Sequence, residues 1–183
     1  MLNSKIEQII QSVPTEYFDG LDHPQEKKQL SQLLSIVSKN HSLKTILDLN
    51  AGHGNKAEVL SKWLPQAKFK LVEQDASLIY EGCLRFAYEL SRFQFHNTPV
   101  KNLKIKAQTI DLILVPNNLL EDTFTVQACQ KWVKKGGTML VHLDQPGLAS
   151  SRSSFTVIEN EGFTYKTDKG EDSTDLNWAA FSR

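Results

Sequence analysis

Asp48, Gly52, Gly54 and Glu73 are the residues whose types and spacing point to chemistry. Asp48 closes the apolar run "TIL", and "LNAGHGN" separates it from a helical pattern, so Gly52 and Gly54 stand in a turn that opens a helix. Backbone N–H groups at such a start favour negative or polar ligand groups. Glycine there permits φ > 0 and lets a ligand reach the main chain. Glu73 closes the next apolar run, about twenty residues beyond Gly52, where a carboxylate can accept from ribose hydroxyls. Together these describe a nucleotide site. Two histidines and an aspartate are candidate bases: His53 in the turn, and His142 and Asp144 after a later apolar run. A lone histidine more often has a structural or solvated role.

The elements that must position these residues follow from the apolar periodicity. Ser4 and Glu7 form a capping-box pattern ahead of a helix with Ile6, Ile9, Ile10 and Val13 on one face, stopped by Pro14. A polar connection carrying Tyr17 and Phe18 leads to a second helix opened by Pro24, with Leu30, Leu33, Leu34 and Val37 as its stripe and Asn40 as its stop. From Lys44 strands and helices alternate: "KTILDL", then a helix from Asn55 ended by Pro65, "KFKLVE", a helix over 77–90 with Ile79, Cys83, Phe86 and Leu90 inward, "RFQFH", "IDLILV", a helix over 121–135 with Val126, Cys129 and Val133 inward and ended by Gly136-Gly137, and "TMLVHL". "SSFTVIENEG" reads as a short helix, and "FTYKT" and "LNWAAFSR" as two last strands around a solvated turn. The alternation predicts right-handed crossovers and a mainly parallel sheet with helices on both faces, an α/β doubly wound domain. Residues 1–183 read as one domain.

Two nucleotide-binding patterns are weighed against these residues. Gly52-His53-Gly54-Asn55-Lys56-Ala57 satisfies G-x-G-x-x-A, with Glu73 as the ribose acid, so an NAD-dependent oxidoreductase is one reading. Against it, Asp48 lies at a strand end where that fingerprint places no acid, and the chain is short for a nicotinamide domain plus a substrate domain. A phosphate-binding P-loop is excluded because G-x-x-x-x-G-K-[ST] does not occur.

The order of segments resembles the class I S-adenosylmethionine (SAM)-dependent methyltransferases. "ILDLNAGHGN" is similar to their first motif, with Asp48 at the acid position and Asn50, Gly52 and Gly54 at the three glycine positions. "KLVEQDASLI" resembles the second strand, whose acid, here Glu73, grips ribose. "TIDLILVPNNLL" resembles the fourth strand, bordering the reaction centre, and "CQKWVKKGGTMLVH" the helix, glycine turn and fifth strand. The likeness runs from about Leu43 to Asp144. It implies a Rossmann-like seven-stranded sheet with an antiparallel last strand, SAM as cofactor, Asp48 toward the methionine ammonium, and Asn117 and Asn118 beside the sulfonium. Asn50 departs from glycine, but Asn tolerates left-handed backbone well, so the turn survives. No acid follows the third strand, and Asn97 is the residue to accept from the adenine amino group there.

Twenty-one basic residues balance 21 acidic ones, which disfavours a large nucleic-acid footprint. Lys101, Lys104, Lys106, Lys131, Lys134 and Lys135 read as solvated faces. "VPNNLL" is not the signature of adenine-amino methylation. A small-molecule acceptor is favoured over a protein side chain. No apolar run approaches a membrane span, the start lacks a signal-peptide core, and the two cysteines form no disulfide or metal pattern, which reads as a cytoplasmic protein. The implied lid over the cofactor is the segment 1–42. A methyltransferase-like binding partner without catalysis is the alternative that Asn50 and the missing acid motivate.

Overall fold

A computed structural model describes residues 24–38, 42–143, 152–166 and 177–183, without the side chains of 152–154. The helix expected from Ser4, the Tyr17-Phe18 loop, Asn40 and Asp144 lie outside the described residues. Helix α1 (Pro24–Val37) precedes strand β1 (Thr45–Asp48), helix α2 (Asn55–Trp63), β2 (Lys68–Glu73), α3 (Ala76–Arg85), β3 (Phe93–Asn97), β4 (Ile110–Pro116), α4 (Thr123–Trp132), β5 (Val133–His142), α5 (Arg152–Asn160), β6 (Thr164–Tyr165) and β7 (Trp178–Ser182). A 3-10 turn, Asn117–Glu121, leads from β4 to α4.

The strands form one seven-stranded sheet in the order β3-β2-β1-β4-β5-β7-β6. β1 to β5 pair in parallel, while β7 runs antiparallel to both β5 and β6. Alternate side chains of a strand point to opposite faces. Ile46, Leu112, Leu114 and Leu140 therefore meet Leu30, Leu33 and Leu34 of α1 and Ala57 and Leu60 of α2 in one apolar cluster. Leu47, Ile113, Val115, Met139 and Val141 meet Val126, Cys129 and Trp132 of α4 and Ile158 of α5 in the other. The doubly wound sheet read from the sequence is the fold observed.

Two helix ends differ from the periodicity. α3 ends at Arg85, and the Phe86 N–H donates to the Gly82 carbonyl as its cap. Phe86 stacks on Phe93 with ring centroids 4.1 Å apart, which pins the helix end to the sheet. The chain turns at once, and Leu90 stands 48% exposed rather than inward. α4 ends at Trp132, not at the glycine pair, because Val133 already pairs with Ile110. The register then shifts to Leu112–Thr138, so the lysine-glycine segment between bulges out of β5, with Gly136 at φ 79°. Lys134, expected on a solvated face, pairs with Asp111 at 2.7 Å.

Candidate functional site

Strand order reverses between β1 and β4, and ligands of open α/β sheets bind outside the carboxyl ends of strands at such a switch point. A cleft of about 170 Å³ lies there, lined by Asp48 and Asn50 from the end of β1 and the loop after it, Lys56 from the first turn of α2, Pro116 and His142 from the ends of β4 and β5, and Trp178 from the start of β7. Glu26, Gln29 and Leu30 of α1 form its opposite wall. Three hydrogen bonds from the far end of the chain seat α1. Gln32 Oε1 accepts from Asn177 N and Nδ2 at 3.0 and 2.9 Å, and Trp178 Nε1 donates to the Gln29 carbonyl at 3.1 Å. Leu114, Pro116, His142 and Trp178 extend the alternation of the α1-facing cluster, which is why these strand ends open into one cleft.

Asp48 shares that face and is 2% exposed. Its Oδ1 accepts from the Asn50 N–H at 3.2 Å, and its Oδ2 lies 3.2 Å from Lys56 Nζ. Burial pushes the Asp48 carboxyl above its ordinary value, against the opposing pull of Lys56 and the Asn50 N–H. Asp48 Oδ2 has no well-directed hydrogen bond despite the ion pair, so it keeps acceptor capacity toward the cleft. Lys56 Nζ also donates to the Asn50 carbonyl at 2.6 Å.

The glycine turn divides its labour. Gly54 has φ 97°, and a Cβ there would stand 2.6 Å from the Phe86 ring, so its glycine is a packing requirement. Gly52 has φ 57°, and a Cβ there would meet nothing within 4 Å, so its main chain faces open space. Asn50 is not left-handed. Gln108 is the one non-glycine residue with positive φ among the described residues, so the turn needs no tolerance from Asn50. Its exposed side chain borders the cleft.

Glu73 is where the sequence puts it, at the end of β2, but its carboxylate is already engaged. Oε2 accepts from the Gly52 N–H at 2.9 Å, and Oε1 accepts from Gln74 and Asp75 N–H at 2.7 and 3.0 Å. A carboxylate offers about four lone-pair positions, so one remains, on Oε2. Asn97 pairs with Glu73 across the sheet, and its Nδ2 donates to the Glu73 and Gln74 carbonyls at 3.3 and 3.0 Å. That fixes the amide and leaves Oδ1 as its acceptor group.

Asn117 opens the turn after β4, and its buried Oδ1 has no hydrogen-bond partner among the described residues. Asn118 is exposed beside it. His53 stands aside from the cleft lining, 4.0 Å from Glu81 of α3. His142 lines the cleft, edge-on to Trp178 with centroids 4.9 Å apart. The structure thus brings Asp48, Asn50 and His142 to one cleft and ties Gly52, Glu73 and Asn97 together at the neighbouring strand ends. Sequence reasoning missed Lys56, Glu26 and Trp178. Only Lys56 carried a local signal, as a cation eight residues after Asp48 in the first turn of a helix. Among the described residues no group of three or more His, Cys, Asp or Glu could hold a metal ion, and no helix is long and apolar enough to cross a membrane.

Solved structures of methyltransferases share this fold over nearly the whole chain. The N-methyltransferase NodS from Bradyrhizobium japonicum WM9, in complex with S-adenosyl-L-homocysteine, superposes with a TM-score of 0.68 at 17% identity, covering 98% of this chain and 97% of its own. A SAM-dependent methyltransferase from Aquifex aeolicus gives 0.66 at 14% identity, covering 98% and 96%. No protein-family model and no curated protein sequence matches the chain. The antiparallel β7 between β5 and β6 separates this sheet from the 3-2-1-4-5-6 order of dinucleotide dehydrogenases.

Proposed function

We propose that this protein is a SAM-dependent methyltransferase whose acceptor is a small molecule. The carrying observation is the cleft at the β1/β4 switch point, where buried Asp48 and half-buried Lys56 stand beside a glycine turn with open space over Gly52. The residues fit the cofactor. Asp48 Oδ2 takes the ammonium of the methionine tail, Gly52 lets the main chain approach, the remaining lone pair of Glu73 takes a ribose hydroxyl, and Asn97 Oδ1 takes the adenine amino group. Bound SAM supplies a methyl group already activated on a cationic sulfur. The protein then has mainly to align donor and acceptor, for which positioning alone is worth several powers of ten in rate. His142, on the cleft wall, is the described candidate to take a proton from the acceptor. The narrowness of the cleft and the balanced charge support a small acceptor.

Calorimetric titration of the full chain with SAM, S-adenosylhomocysteine and NAD tests the cofactor, with binding of the first two and no binding of NAD expected. Transfer of a labelled methyl group from SAM into the low-mass fraction of an extract, rather than its protein fraction, tests the acceptor. One observation favours a second reading, a binding partner that has lost catalysis: three backbone N–H groups already occupy Glu73. Absence of binding by either sulfur nucleoside selects that reading.

A further inference from the structure

We propose that Lys56 makes the cleft selective for a ligand tail that carries a carboxylate as well as an ammonium, an assignment that rests on the methyltransferase reading. Among the described lining residues the charges are Asp48, Glu26 and Lys56. Asp48 alone matches only a cation. A ligand carboxylate brought beside it would meet a like charge inside a low-dielectric wall, where repulsion is strong. Lys56 removes that repulsion, because its Nζ lies 3.2 Å from Asp48 Oδ2 and 2.6 Å from the Asn50 carbonyl. An ammonium has three donors. One goes to the Asn50 carbonyl, and the Asp48 carboxylate beside it is paired by charge without a well-directed hydrogen bond, so donor capacity remains for the cleft that Lys56 also lines.

The helix that carries Lys56 is held in place by its neighbours. Asn55 Nδ2 donates to Glu26 Oε1 at 2.7 Å, and Asn55 Oδ1 accepts from Arg85 at 2.5 Å, so α1 and α3 both grip the first residue of α2. Lys56 is one residue further on, with its side chain 24% exposed, so it is anchored at the base and reachable at the tip. The competing account is that Lys56 only neutralises Asp48. In that case its loss weakens all ligands of the cleft alike. If it contacts the carboxylate, its loss weakens carboxylate-bearing ligands in particular.

The test compares SAM with decarboxylated SAM, which keeps the ammonium and lacks the carboxylate, by calorimetry on the full chain. Wild type is expected to prefer SAM by about tenfold or more, as a charged hydrogen bond provides. Lys56→Met is expected to bring the two ligands to near parity. Because that variant leaves Asp48 buried without its cation, Asp48→Asn/Lys56→Met is measured beside it, and decides the matter if the single variant fails to fold. A preference for SAM that survives in a folded variant, or a wild type indifferent to the carboxylate, overturns the role of Lys56 while leaving the methyltransferase reading intact. A wild type that binds neither ligand overturns both.

Discussion

Replacing Glu73 by Gln separates bracing of the glycine turn from contact with a ligand. The carboxylate holds Gly52 through Oε2 and Gln74 and Asp75 through Oε1. A Gln side chain has one oxygen. Turned toward the two adjacent amides, it keeps both bonds and sets its NH2 against the Gly52 N–H, donor facing donor. A hydrogen bond to a charged group is worth about 1.5–3 kcal/mol net. Glu73 is half-buried, and water can reach the freed amide, so a loss of about 1–2 kcal/mol of stability is expected by denaturant unfolding. Affinity for SAM is expected to fall by about tenfold or more, since the last acceptor position and the placement of Gly52 go together. Stability and affinity are read on the same preparation, the second per folded molecule. If stability falls and affinity does not, Glu73 is a brace alone and leaves the ligand site. If neither changes, the three-amide arrangement is itself refuted.

Asp48→Asn should trade function for stability. Burial, ahead of the pull of Lys56, raises the folded-state carboxyl, so the native state binds that proton more readily than the unfolded chain. The charged form therefore costs stability at neutral pH, and the cost is relieved as pH falls toward the unfolded value near 3.8. The variant should be at least as stable as wild type at pH 7, lose that advantage as pH drops toward 4, and bind SAM weakly; a less stable variant with a pH-independent gap would contradict this. Gly54→Ala should destabilise by about 1–3 kcal/mol through strain and collision with Phe86, while Gly52→Ala should cost about 1–2 kcal/mol and lower SAM affinity more, an order that thermal unfolding and calorimetry can reverse. Cys129 is fully buried and its thiol is pushed up to about 12, so a thiol reagent should label Cys83 in the folded protein and reach Cys129 only on unfolding; equal labelling of both would show α4 to be loosely packed.

The sheet was legible because its strands are short runs rich in apolar residues and bounded by polar turns, with the central β1 and β4 buried on both faces. The order of those runs around "NAGHGN" carried the resemblance, and the resemblance carried the seven strands and the antiparallel last one. Errors fell where periodicity continues past a physical stop. The helical pattern through Leu90 outlasts α3 because Phe86 is taken by Phe93, a contact between residues of different elements. Gly136-Gly137 looks like a helix end but serves a bulge, since Val133 is already committed to Ile110. Asn50 looked like a strained substitute for glycine, yet only Gly52 and Gly54 of that turn have positive φ.

The residues at the candidate site separate along the same line. Asp48 and Glu73 were visible because a strand end fixes where its last side chain goes. Which partners those carboxylates take was not visible, because the partners come from elsewhere: Lys56 from the next helix, and Gly52 from a loop folded back over β2. The cleft wall is the extreme case. Gln32 and Asn177 are 145 positions apart, and Gln29 and Trp178 are 149 apart, yet these bonds seat α1 over the strand ends. The last strand therefore shapes the site without belonging to any nucleotide motif. Its reversed direction brings Trp178, its first residue, to the end of the sheet where β1, β4 and β5 finish. A parallel strand in that place would present its last residue instead, and α1 would lose both anchors. The antiparallel β7 thus does more than complete the sheet: it seats α1 across from Asp48 and Lys56, and so helps to set the width of the cleft.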